Sequence, residues 1–152
     1  MTPPARLAFE DFPVGRVLEF GPHRVDRDEV IAFAGRFDPQ PFHLDEAAAA
    51  ATPFGRLAAS GWHTASMTMR MLCDAYLLEA ESLGSPGVDE LKWPRPVYPG
   101  DTLRGRLTVL ATRVSQSRPQ MGLAQQRTEV FNQHGELVFS MLGWQMLRRR
   151  ER

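Results

Sequence analysis

With 152 residues, 18 basic against 18 acidic side chains and one cysteine, the chain is long enough for a single self-supporting core and short for two domains. Balanced charge excludes a sequence-wide attraction to nucleic acid or an anionic membrane, so an anionic ligand would need a specific pocket. No apolar run reaches the length of a membrane span, residues 1–6 lack the apolar core of a secretory leader, and Cys73 alone cannot form an intrachain disulfide; a cytoplasmic, unprocessed, one-domain protein over 1–152 is the expectation.

In chain order, residues 16–20 and 24–25 have strand composition around a Gly21-Pro22 turn. Asp26 followed by Glu29 has the form of a capping box, with Glu29 reaching back, and opens a short helix expected to stop near Gly35. Asp45 can cap a second short helix through Glu46 and the alanine run to Ala51, ended by Pro53 and Gly55. Residues 62–80 contain neither Pro nor Gly and are apolar around most of the circumference, which predicts a helix buried on nearly every side, with Cys73 inside. Residues 82–87 form a loop leaving it.

The period then changes from helical to alternating. Residues 102–111 set Leu103, Leu107, Val109 and Ala111 against Thr102, Arg104, Arg106 and Thr108, the pattern of a strand with one wet face. Residues 123–131 and 137–147 follow as two further strands joined by a turn at 132–135. The run Arg148-Arg149-Arg150, with Arg152 beyond, suits a solvated tail. One long helix wrapped by antiparallel strands, or covered in part by a second subunit, is an α+β arrangement.

Between the first two helices lies Asp38-Pro39-Gln40-Pro41-Phe42-His43-Leu44-Asp45. Its prolines exclude a helix and stiffen the loop, so Asp38 and His43 can be aimed at one small volume and share a water as a general acid and base pair. Taken alone, the same spacing also suits a turn-capping Asp and a structural His. Ala59-Ser60-Gly61 opens the long helix, where unpartnered N–H groups and the macrodipole could hold an oxyanion; Ser60 as a cap and Gly61 as a turn residue explain the same letters. His23, His63 and His134 are scattered, so no metal-ligand cluster is expected.

This ordered combination resembles the MaoC-like (R)-specific enoyl-CoA hydratase family of the hotdog fold. The carrying residues are the Asp38-to-Asp45 segment, then Phe54-Gly55, Ala59-Ser60-Gly61, and Arg95-Pro96-Val97-Tyr98-Pro99-Gly100-Asp101 ahead of a strand. Gln40 stands where the family pattern has Asn, and Ser60 where many relatives have His or Pro. The resemblance implies a single hotdog domain that adds water across a trans-2-enoyl thioester of coenzyme A or an acyl carrier, without metal or redox cofactor, as a homodimer or larger. It implies Asp38 and His43 as the catalytic pair, either being the base, with Gly61, Ser60 and Gln40 around the substrate oxygen. A hotdog thioesterase and a noncatalytic acyl-thioester-binding subunit are the rival readings.

Overall fold

The alternating second half of the chain becomes three long strands, β3 (Thr102–Val114), β4 (Met121–Phe131) and β5 (Leu137–Arg148), in the computed structural model, whose description covers residues 6–150. Among the described residues five strands form one antiparallel sheet in the order β1-β3-β4-β5-β2, where β1 is Val17–Arg24 and β2 is Gly87–Lys92. The helices are α1 (Arg27–Phe37), α2 (Glu46–Ala50) and α3 (Gly61–Ala75). Met67, Met71 and Leu72 of α3 are buried in one core with Phe20, Leu103, Leu107, Val130 and Phe139 of the sheet. This is the expected α+β hotdog arrangement, a sheet packed against one long helix. No described helix is long and apolar enough to cross a membrane. Residues 1–5 of the opening segment and Arg152 lie outside the described residues.

Several local expectations are corrected by tertiary contacts. Of residues 16–20 and 24–25, Val17 to Phe20 and Arg24 belong to one continuous strand that Arg16 and Val25 flank, and Gly21-Pro22 is an irregularity within its pairing to β3 rather than a separating turn. The inward alternation of β3 holds through Leu103, Leu107 and Val109 and then shifts at a bulge, which leaves Leu110 at the surface and Ala111 only half-buried. Gly105 permits a close crossing: a Cβ there would lie 2.3 Å from the Phe20 ring and 2.4 Å from the Glu129 carbonyl. β2 begins at Gly87, the last residue of the expected 82–87 loop, and runs through residues 88–92, to which the sequence pattern assigns no element because Asp89, Glu90 and Lys92 mask it; charges of that kind suit a sheet edge.

The helices differ in detail too. α1 passes Gly35 and ends at Phe37, and its Asp26 cap accepts the Glu29 N–H while the Glu29 carboxylate faces His63 instead of turning back. α3 stops at Ala75 rather than 80, since Tyr76 leaves helical geometry and its hydroxyl reaches Gln145. It buries one face, His63, Thr64, Met67, Thr68, Met71 and Leu72, and not its whole circumference. Trp62 is 58% exposed, Met69 45%, and Cys73 is half-buried. The basic run is docked: the Arg150 N–H donates to Glu10, its guanidinium pairs with Asp11, and Arg149 donates to the Pro119 carbonyl.

His63, 2% exposed, stacks on Phe33 at 4.7 Å and sets its Nε2 3.1 Å from Glu29 Oε1, while Nδ1 has no hydrogen-bond partner among the described residues. Burial depresses its pKa below the usual 6.5, against the opposing pull of Glu29 and together with His23. The folded chain therefore binds this proton less readily than the unfolded chain, so the stability that neutral His63 contributes is constant above about pH 6.5 and is lost as pH drops below it. Denaturant midpoints measured at pH 7.5 and 5.5 should show a drop in the parent that is smaller in His63→Phe, which keeps the ring contact with Phe33. An equal drop would place the proton-binding group elsewhere.

Candidate active site

Three turns of backbone bring the site together. Asp38 ends α1, its N–H bonded to the Ala34 carbonyl, and Pro39 prevents further helix. Pro41, Phe42 and His43 form one 3-10 turn that carries the imidazole inward, where His43 is 5% exposed. Leu57, Ala58, Ala59 and Ser60 run buried beneath that turn before α3 begins. The Ala59 N–H is held by the Val97 carbonyl at 2.8 Å, and Gly100 and Asp101 exchange backbone hydrogen bonds with Val25, so the Pro-Val to Pro-Gly-Asp stretch braces the floor of the site.

Asp38 and His43 do meet. His43 Nε2 lies 3.5 Å from Asp38 Oδ2, and His43 Nδ1 lies 2.7 Å from the Ala58 carbonyl oxygen. A carbonyl can only accept, so Nδ1 carries a proton and Nε2 is the nitrogen turned toward the carboxylate. In the neutral imidazole two lone pairs would then face each other, and the gap favours something that brings hydrogen: a proton on Nε2, or a water donating to both groups. A carboxylate and an imidazole so placed can hold a water and move its proton.

The carboxylate is held from the other side. Ser60 Oγ donates to Asp38 Oδ2 at 2.7 Å, and Gln40 Nε2 donates to Oδ1 at 2.7 Å. Burial alone would raise the Asp38 pKa, but these two hydrogen bonds and the His43 charge outweigh it and keep the carboxyl below its usual 3.8. Asp38 is therefore ionised throughout the neutral range. Ser60 is fully buried, and its oxygen also accepts the Trp62 N–H at 3.2 Å, so one hydroxyl caps α3 and orients Asp38.

Gly61 is the first residue of α3, and its N–H has no acceptor among the described residues, as first-turn N–H groups commonly lack one. The missing side chain has a packing reason that local sequence did not show. A Cβ at Gly61 would lie 2.6 Å from the Trp93 indole, whose Nε1–H donates to the Gly61 carbonyl at 2.8 Å. Trp93 also meets the Trp62 ring edge-to-face at 5.1 Å. Trp93 and the Ala58 carbonyl are the site groups that sequence reasoning missed: one arrives from a distant edge strand, and the other is backbone, which carries no residue signature.

His23 and His63, distant in sequence, line one cleft with Glu29 between α1 and α3, apart from the Asp38–His43 pair. Among the described residues no group of three or more His, Cys, Asp or Glu side chains converges as a metal site would require.

A crystal structure of a MaoC-like dehydratase from Rhodospirillum rubrum superposes with a TM-score of 0.86 at 44% identity, over 96% of this chain and 99% of that one. The (R)-hydratase from A. caviae involved in PHA biosynthesis gives a TM-score of 0.64 at 28% identity, over 93% of this chain and 99% of that one. A mesaconyl-CoA hydratase from Cereibacter sphaeroides is 36% identical over 74 residues, which are 49% of this chain and 21% of that protein. The sequence model of the MaoC like domain matches residues 11–130, spanning α1, the Asp38–His43 loop, α3 and most of the sheet, and the chain belongs to the MaoC-like domain family.

Proposed function

We propose that the protein is a hydro-lyase that adds water reversibly to a trans-2-enoyl thioester of coenzyme A or an acyl carrier, giving a 3-hydroxyacyl thioester. The observation that carries this reading is the 3.5 Å approach of His43 Nε2 to Asp38 Oδ2 beside the start of α3. The hydratases among the similar proteins support it. Asp38, kept ionised by Ser60 and Gln40, is a poor proton carrier and a good acceptor, so it orients the water. Imidazole is suited to take and return a proton near neutrality, so His43 Nε2 removes one water proton as the oxygen attacks the β-carbon, and delivers it to the α-carbon. The electron pair displaced from the double bond rests meanwhile on the thioester oxygen, for which the Gly61 N–H at the positive end of α3 is the donor. Ser60 and Gln40 act through Asp38. The thioester carrier is part of the substrate, and the scheme calls on no metal or redox group.

The same chain surface supports pairing of two copies. Among the described residues β2 is an edge strand bonded only to β5, and Val88 (49% exposed), Trp62, Met69 and Trp93 leave apolar surface along it. We place a homodimer contact there, with a second β2 as the partner. Sedimentation at micromolar concentration should return twice the 17.1 kDa chain mass. A single-chain mass would remove this contact.

Crotonyl thioester hydration and free-thiol release, assayed side by side, separate a hydratase from a thioesterase, and neither activity would leave a binding role. In the parent, hydration should dominate. Asp38→Asn and His43→Ala should each lower it by roughly 10²- to 10⁴-fold while the fold is retained. Unchanged turnover in both variants would sink the proposal.

Trp93 provides a separate check on the α3 end. Trp93→Phe keeps a ring and deletes the N–H that binds the Gly61 carbonyl, so hydration should fall by less than tenfold, whereas Gly61→Ala must displace the indole and should fall further. Equal activity of Gly61→Ala and parent would show that the helix start is not tuned by this contact.

A further inference from the structure

α1 delivers Asp38 and α3 delivers Ser60 and Gly61, so the geometry of the site depends on how the first of these helices is seated on the start of the second. Two contacts outside the site contribute to that seating. Glu29, in the first turn of α1, sets its Oε1 3.1 Å from Nε2 of His63, in the first turn of α3. Phe33, four positions further along α1, stacks its ring on the same imidazole, with centroids 4.7 Å apart and planes 12° from parallel. His63 in turn donates its backbone N–H to the Ser60 carbonyl at 2.9 Å. One imidazole therefore stands between the helix that ends in Asp38 and the residue whose hydroxyl donates to that carboxylate.

The chemistry of this contact exceeds what packing requires. A carboxylate accepts, so Nε2 carries the proton and donates to Glu29, and Nδ1 of the neutral ring is the bare nitrogen. That nitrogen is buried and has no hydrogen-bond partner among the described residues. An unpaired buried acceptor is costly, and a phenylalanine would offer Phe33 the same stacking surface without it. The Nε2 bond is what the imidazole adds. Glu29 points the same way: it leaves the reciprocal cap that its place after Asp26 would allow and gives its carboxylate to His63, although that side chain is half-exposed and has water as an alternative.

We propose that Glu29 and His63 are positioning residues for the Asp38 carboxylate, seating α1 on α3 so that Ser60 Oγ meets Asp38 Oδ2 at 2.7 Å. The catalytic part of this role rests on the hydratase reading, with Glu29 and His63 acting through Asp38 and touching no substrate, whereas the place of Asp38 is measured without turnover. Cutting the Glu29–His63 bond frees α1 to move on α3. Ser60 then donates to Asp38 for less of the time, and the carboxyl loses part of the hydrogen bonding that favours its ionised form, so its pKa rises. Loss of the Glu29 charge by itself acts in the opposite sense, since removing a nearby negative charge makes a carboxyl easier to ionise. The sign of the change separates position from charge.

Carboxyl carbon shifts of the aspartate-labelled full chain, with Asp38→Asn identifying the signal, follow Asp38 by NMR as the solution is acidified from neutrality. Glu29→Ala should raise the Asp38 pKa by roughly half a unit or more. Phe33→Leu, which changes no charge, should raise it too, whereas Glu29→Gln, whose amide oxygen still accepts from Nε2, should not. In crotonyl thioester hydration Glu29→Ala should lower kcat about three- to tenfold with KM changed less than about twofold, and Glu29→Gln should recover most of that loss. An Asp38 pKa in Glu29→Ala at or below the parent's, a rise equal in Glu29→Ala and Glu29→Gln, or an unchanged kcat in Glu29→Ala beside an active parent would each overturn the proposal. A parent that hydrates no enoyl thioester removes the hydratase reading and leaves the Asp38 titration to decide the positioning. Glu29 is half-exposed, so its substitution empties no core space, and Phe33→Leu reads the same sign from the second contact even if the alanine variant fails to fold.

Discussion

The hydrogen bond from Ser60 to Asp38 is the contact on which the geometry of the candidate site depends. Asp38 closes α1, Ser60 opens α3, and the 2.7 Å bond between their side chains fixes the end of one helix against the beginning of the next. Because the same Ser60 oxygen accepts the Trp62 N–H, the first turn of α3 cannot shift without disturbing the carboxylate. Gln40 pulls on the other carboxylate oxygen, so both are spoken for by the protein before any ligand arrives. Such a group has little freedom to reorient, which is what preorganisation means at the level of atoms.

His43 is fixed by another hydrogen bond. Its Nδ1–H is bound to the Ala58 carbonyl, in a buried run that is itself tied to Val97. The imidazole and the carboxylate are thus both held by one buried run, His43 by the Ala58 carbonyl and Asp38 by the Ser60 hydroxyl two residues on. Their 3.5 Å separation is set by those two hydrogen bonds together.

Much of this was legible in the sequence. The prolines at 39 and 41 announced a stiff loop, Asp26 and Asp45 announced helix starts, and the alternation in residues 102–111 announced β3; each is a local signal and each was realised locally. What stayed hidden depends on partners far along the chain. Glu29 abandons its expected cap for a histidine 34 positions away, Tyr76 ends α3 to reach a glutamine 69 positions away, and Gly61 is glycine because of an indole 32 positions away. The apolar circumference of α3 is covered only in part within this chain: apolar composition marks a surface to be covered without saying by what, and Trp62 and Met69 stand outside the core of this chain.

The contact between Trp93 and Gly61 links sheet registry to the start of α3. Lys92 is the last paired residue of β2, opposite Ser140, and the next residue along the chain places its indole on Gly61. One peptide bond therefore separates the sheet edge from the helix start. A slip of β2 by a single residue along β5 would offer Gly61 a lysine or a proline in place of the indole, and would turn every side chain of the strand to the opposite face. The edge strand, exposed and rich in charge, consequently acts as a gauge block for the N-terminal turn of the helix buried beside it.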